Sequence, residues 1–358
     1  MTASDAQSVT VGELLTLAGQ PANSLADLHL GYTETWGAPD LREAIAATYD
    51  TLSADDVLCF AGAEEGVYTA MRVLLANDDH AIVVTPNYQA AETVPLDICE
   101  VTGVALDASQ HWRLDPDAVR AAIRPNTRLV SVCFPNNPTG AIPSREDFAE
   151  LVAICREHDL YLFSDEVYRL LELDAAKRID QAADAYEKGL SLNVMSKAYG
   201  LPGLRIGWIA CRNRSALQRL ERYKHYLSIC NSAPSERLAT MALGIRETLL
   251  ERVRTLMRSN LAELETFFAR HTALFDWHRP DGGCFAFPRF TGRGGVEAFW
   301  TGVVEEAGVW LLPASIYRSE LQATPTDRFR VGFGRANMST GLAAFEAFIN
   351  ENGADFMP

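Results

Sequence analysis

This sequence predicts an α/β fold built on a mostly parallel sheet, followed in the chain by a smaller α+β part. Three observations lead there. Short apolar runs end abruptly at turn residues, amphipathic helical stretches lie between them, and the polar motifs cluster just past the ends of those runs. Strands that alternate with helices form parallel sheets covered on both faces. Such sheets bind ligands beyond the carboxyl ends of their strands.

The first apolar run is Val57-Leu58-Cys59-Phe60, followed by Gly62-Ala63-Glu64-Glu65-Gly66, which opens a helix running through Met71 to Leu75. Ala81–Val84 ends at Thr85-Pro86, Leu129–Phe134 at Pro135-Asn136-Asn137-Pro138, and Leu160–Phe163 at Ser164-Asp165. Each reads as a buried strand closed by a turn. A helix follows Pro143, where Ser144 and Asp147 suggest a capping box ahead of Phe148, Leu151, Val152 and Ile154-Cys155. From about Ser235 the pattern changes. A long charged helical region spans Glu236 to His271, short strands fall around Cys284–Phe287 and Phe329–Phe333, and a last helix covers about Ser339 to Phe348. The expected division is a large domain over 41–234 and a small one over 235–358.

Composition narrows the function. With 48% hydrophobic and 22% charged residues the chain is an ordinary globular one, and its net charge of -15 argues against nucleic acid and anionic membrane surfaces as partners. Seven scattered cysteines with no CxxC pair fit reduced thiols in a cytoplasmic protein, and Cys133, Cys155 and Cys284 read as small core residues. The first residues, Met1-Thr2-Ala3-Ser4-Asp5, lack the basic and apolar regions of a secretory signal, and no apolar run reaches membrane-spanning length. The seven histidines show no ligand spacing, so no metal site is expected.

The stretch Ser196-Lys197-Ala198-Tyr199-Gly200-Leu201-Pro202-Gly203-Leu204-Arg205 interrupts this apolar region with charged groups and glycines. A lysine in a partly apolar pocket gives up its proton more readily, and the neutral amine forms a Schiff base with an aldehyde. Glycines let backbone approach a ligand closely. Arg205 can grip a phosphate or carboxylate with two parallel hydrogen bonds. An isolated lysine on a loop is more often plain surface; the flanking residues make the case here. Asp165 ends an apolar strand, where the ordinary use of an aspartate is a helix N-cap. Asn137 in Pro135-Asn136-Asn137-Pro138-Thr139-Gly140 would alone be an Asn-Pro turn. Backbone N–H groups at the helix start near Ala63 and Glu64 bind phosphate, though an acidic first turn is also common helix chemistry. Tyr88, after Pro86-Asn87, could equally be a core tyrosine.

Taken together and in this order, the motifs resemble the class I/II (fold type I) pyridoxal-phosphate enzymes, the aminotransferase family, over roughly Leu28 to Phe348. The resemblance implies a three-layer fold type I transferase whose small domain also takes in residues 1–40. It implies pyridoxal 5'-phosphate as cofactor, with Lys197 as the Schiff-base lysine, Asp165 on the pyridinium nitrogen, and Asn137 and Tyr168 at the phenolic oxygen. Tyr88 stacks on the ring, while Ala63, Glu64, Ser196 and Arg205 hold the phosphate. Tyr32, in Gly31-Tyr32-Thr33, reaches the phosphate of the other subunit of a homodimer. Arg330, in Phe329-Arg330-Val331, takes the substrate carboxylate beside Asn137; Arg335 fits a less specific pattern. The Asn137–Pro138 bond is expected to be cis.

Two positions depart from the family. Val194 stands where a phosphate-binding serine is usual. The Gly31-Tyr32-Thr33 motif comes so early that the segment which closes over the substrate is expected to be short or absent.

The function implied is transfer of an amino group between an L-amino acid and a 2-oxo acid by a ping-pong Schiff-base mechanism, with Lys197, Asp165 and Tyr168 as the catalytic groups. The wording around Lys197, with Ser232-Ala233-Pro234-Ser235-Glu236, resembles a subgroup that includes capreomycidine synthase-like enzymes. A lyase, cyclase or oxidase reaction on the same scaffold is therefore the alternative. A transcriptional regulator with an aminotransferase-like sensor would need a basic DNA-binding region, which this sequence does not show.

Overall fold

The computed structural model describes residues 1–357. A seven-stranded sheet organises it, with strands β1 (Val57–Phe60), β2 (His80–Thr85), β3 (Glu100–Ala105), β4 (Thr127–Cys133), β5 (Tyr161–Asp165), β6 (Gly189–Val194) and β7 (Gly207–Ala210) in the spatial order β1-β7-β6-β5-β4-β2-β3. Only β7 runs against its neighbours, so the carboxyl ends of the other strands share one edge. β5 shows why the apolar runs become strands. Tyr161 and Phe163 pack into the core on one face, and Leu162 packs into the core on the other. A strand buried on both faces must be apolar throughout.

Helices join the strands as expected. The helix α1 spans Val11–Leu17, α2 Pro39–Ala46 and α3 Ala63–Leu74, with α3 leaving β1 after a two-residue turn. The helix over Arg145–Glu157 starts where predicted, with the Ser144 side chain accepting from the Asp147 N–H. The reciprocal half of the capping box is not made, because the Asp147 carboxylate instead takes the Arg113 guanidinium at 3.0 and 3.1 Å.

Beyond the sheet, the long helical region is two helices, Ala233–Gly244 and Arg246–Arg270, broken at Ile245. The remaining strands are short. β8 (Phe275–Asp276) pairs with β10 (Arg289–Phe290), and β12 (Phe329–Gly332) lies between β11 (Leu312–Pro313) and β9 (Phe285–Ala286). A final helix covers Met338–Asn352. Among the described residues no helix is long and apolar enough to cross a membrane.

Candidate active site

A cavity of about 320 Å³ opens at the carboxyl edge of the large sheet. Its lining brings together Ala63, Glu64, Tyr88, Asn137, Asp165, Tyr168, Ser196, Lys197 and Arg205, which are far apart in the chain yet gather at or near strand ends on one edge of the sheet. β1 delivers Ala63 and Glu64, β2 Tyr88, β4 Asn137, β5 Asp165 and Tyr168, and β6 Ser196 and Lys197.

Lys197 sits on the turn after β6. Met195 N–H closes that turn on Ile206 O at 2.9 Å, and Gly200 adopts φ 66°, a left-handed conformation that a side chain would strain. The Lys197 Nζ lies 5.5 Å from the centre of the Tyr168 ring. Tyr168 is buried and stacked edge-on against Phe285 at 4.8 Å. Burial pushes its hydroxyl well above the usual tyrosine range, so it remains an O–H donor at neutral pH.

Asp165 is the acid of the site. Burial raises its carboxyl to about 6, while the Val167 N–H, 3.1 Å away, and the nearby Lys197 charge oppose the rise and Glu64 adds to it. It caps no helix; its carboxylate accepts only within its own turn and faces the cavity.

The two asparagines of the β4 turn divide the work. Asn136 is structural: it donates to Pro86 O at 3.0 Å and accepts from the Thr139 hydroxyl at 2.7 Å. Asn137 lines the cavity and its Oδ1 accepts from Arg330 Nη1 at 2.8 Å, which leaves its amide nitrogen as the donor. The Asn137–Pro138 bond is cis, as are Thr85–Pro86 and Phe134–Pro135.

One end of the cavity is suited to an anion. The N-terminus of α3 carries no side-chain cap, and Gly62 precedes it at φ 97°. A Cβ on Gly62 would collide with the Arg205 guanidinium. The Ser196 hydroxyl is buried there without a protein partner. Val194 lines the same region and offers no hydrogen bond.

Four placements were not legible in the sequence. Arg330 does not line the cavity: it is 6% exposed, and Ser4 and Asp5 stand in the lining instead. The N-terminal segment is therefore neither absent nor too short to reach, because Met1–Gln7 runs along β12 into the site. Gly332 N–H donates to Met1 O at 2.8 Å and Gln7 N–H to Gly334 O at 2.8 Å. Tyr32 is 88% exposed, beside Leu30 and the 230–234 turn, outside the lining of this chain's own cavity; its expected place is the site of a partner. Cys133, read as core, is buried but also touches the cavity. Sequence reasoning missed Ser4, Asp5, Val67, Val167 and Pro202 as lining residues. Only Val167 carried a signal, its place two residues after Asp165.

A sequence profile described as aminotransferase class I and II matches residues 14–344. The chain belongs to the class I and II aminotransferases. Among relatives of this aminotransferase, capreomycidine synthase of Streptomyces vinaceus is 29% identical over 96% of the chain and 88% of that protein. Glutamate-pyruvate aminotransferase AlaA of Escherichia coli (strain K12) is 30% identical over 62% of the chain and 57% of that protein. A PLP-dependent aminotransferase from Streptococcus suis 89-1591 superimposes with a TM-score of 0.91 at 28% identity, covering 98% of this chain and 92% of that one. The PLP-dependent cyclase OrfR superimposes at 0.89 with 26% identity, covering 98% and 93%. Like the rest of its family, this aminotransferase is a fold type I, pyridoxal-phosphate-dependent enzyme. The cavity fits that cofactor, with an uncapped helix terminus, a partnerless buried hydroxyl and Arg205 at the anion end, and Asp165 for a ring nitrogen.

Proposed function

We propose that this aminotransferase transfers an amino group from an L-amino acid to a 2-oxo acid in two halves, the first product leaving before the acceptor binds. The observation that carries the assignment of roles is that Lys197 and Asp165 line one cavity with Ser196, Arg205 and the start of α3. Pyridoxal phosphate, when bound, supplies an aldehyde carbon that captures amines and a protonated ring that draws electrons from the substrate Cα. Lys197 would hold the aldehyde carbon, and its amine, when free, would move the substrate Cα proton. Asp165 would hold the ring nitrogen protonated, its carboxylate pairing with the ring cation. Asn137 and Tyr168 donate toward the phenolic oxygen, and Tyr88 covers the ring. Ala63 and Glu64 supply backbone N–H groups, and Ser196 and Arg205 side-chain donors, to the phosphate. Arg330, held against Asn137, takes the substrate carboxylate.

The working unit we propose is a cytoplasmic homodimer. Leu30 and Tyr32 are exposed beside the 230–234 turn, just past the exposed Tyr226, Leu227 and Ile229, which together offer an apolar surface for a partner. Tyr32 would then serve the partner's phosphate site. We also propose the division 1–40, 41–234 and 235–358, supported by a large sheet that lies wholly within 57–210.

A second reading is favoured by the likeness to capreomycidine synthase along nearly the whole chain and to a cyclase of known structure. Cyclisation, elimination or oxidation would use the same Lys197 and Asp165 but no 2-oxo acid. Mixing the holoenzyme with a panel of L-amino acids without an acceptor separates the two. Loss of the visible cofactor band, restored only by a 2-oxo acid, means transamination. A band that recovers unaided, with ammonia release or oxygen uptake, overturns it.

A further inference from the structure

We propose that residues Thr2–Asp5 form a strap that competes with the substrate carboxylate for Arg330, held in place by the Asp5–Arg335 ion pair. The inference rests on the reading of Arg330 as the carboxylate site.

Arg330 is buried, and its three nitrogens have different fates. Nη1 donates to Asn137 Oδ1 at 2.8 Å, Nη2 donates to the Thr2 carbonyl at 2.7 Å, and Nε is buried with no partner. Nε and Nη2 form the edge of the guanidinium fork that a carboxylate can take with two parallel bonds. In this structure the edge carries one neutral carbonyl oxygen and leaves one donor orphaned, a costly arrangement for a buried charged group. A carboxylate would satisfy both donors with charge-assisted bonds, each roughly twice as strong as a neutral one. It therefore outcompetes the carbonyl, and the carbonyl yields.

The strap is built into the fold. Gly332 and Gly334 leave room for it, since a Cβ on either would collide with the Ala3 or Asp5 carbonyl oxygen. Its next residues also touch the chemistry: the Ser4 hydroxyl lies 3.2 Å from Lys197 Nζ. Asp5 grips Arg335 through two bonds of 2.6 and 3.1 Å, and the Arg335 side chain is half exposed. That pair is the anchor, and it lies outside the fork, so its strength sets how easily the strap lifts without altering Arg330.

Hydrogen exchange read by mass spectrometry tests this on the cofactor-loaded protein in sodium acetate and sodium chloride of equal ionic strength. Acetate is the probe because it is the smallest carboxylate. The Gln7 and Gly332 amides report the strap, and the visible cofactor band reports whether acetate enters the site. Acetate, unlike chloride, should shift the band and speed exchange in segments 1–8 and 329–334. Asp5→Asn should reach the same exchange at an acetate concentration about fivefold lower, the scale of an exposed ion pair. Arg330→Lys should lose both acetate responses. If acetate shifts the band through Arg330 but exchange stays unchanged, the strap does not compete and the proposal is overturned while the carboxylate role stands. If acetate changes neither, Arg330 is not the carboxylate site and both fail.

Discussion

Arg330 donates through Nη1 to Asn137 Oδ1 at 2.8 Å, although the two residues are 193 positions apart. The bond joins β12 of the small sheet to the turn after β4 of the large one, so the proposed carboxylate grip and cofactor contact would share a single geometry. Arg330→Gln would break it and remove the fork. We expect kcat/KM to fall about a hundredfold or more, the worth of a buried bidentate pair, with the larger part in KM. Steady-state kinetics with varied amino acid checks this; an unchanged KM would refute the role.

Lys197→Ala removes the amine proposed to bind the aldehyde carbon. The purified variant should lack the visible band of the lysine-bound cofactor, and borohydride should no longer fix the cofactor to the chain. A retained band would move the Schiff base to another lysine.

Asp165 predicts a pH effect with a definite sign. Its folded-state value of about 6 lies above that of an unfolded aspartate, near 3.8. The native state therefore holds the proton more tightly, and the cofactor-free protein loses stability as pH rises across that window. Above it the ionised carboxylate costs on the order of 3 kcal/mol, which a protonated ring nitrogen would offset. Cofactor-free Asp165→Asn should thus melt higher than the parent at pH 8 and equally near pH 4, while activity drops about a thousandfold. Calorimetry at the two pH values decides it.

Val194 lines the cavity without a hydrogen-bonding group, two residues before Ser196, whose hydroxyl has no partner. Val194→Ser should add one hydrogen bond to a charged oxygen and slow cofactor release about tenfold. Absorbance during dialysis against a carbonyl scavenger measures this, and an unchanged release rate would place the phosphate elsewhere.

Tyr32 is nearly fully exposed in one chain. If a partner uses it, Tyr32→Ala should weaken cofactor binding, and mixing it with Lys197→Ala should restore activity through hybrid dimers carrying one intact site. Mixing that restores nothing, with sedimentation showing a monomer, would refute the shared site.

Much of the fold and of the site is decided by local pattern. An apolar run must be buried and must end at a turn, so β2, β4 and β5 and the residues past them, Asn137 and Asp165, could be read without coordinates. The same holds for Lys197, because glycines and a lone charged group stand out against an apolar background. Local pattern is silent where a segment's place depends on what it packs against. Nothing near Thr2 or Ser4 marks them as neighbours of Arg330 and Lys197; their seats exist only because Gly332, Gly334 and Gly200 leave backbone-wide room there. The break at Ile245 is equally silent, since helical spacing continues through it. Periodicity records which face of an element is buried. The distant chain that comes to cover that face is chosen by packing and hydrogen bonding in three dimensions, and here that choice placed the N-terminal segment over Arg330.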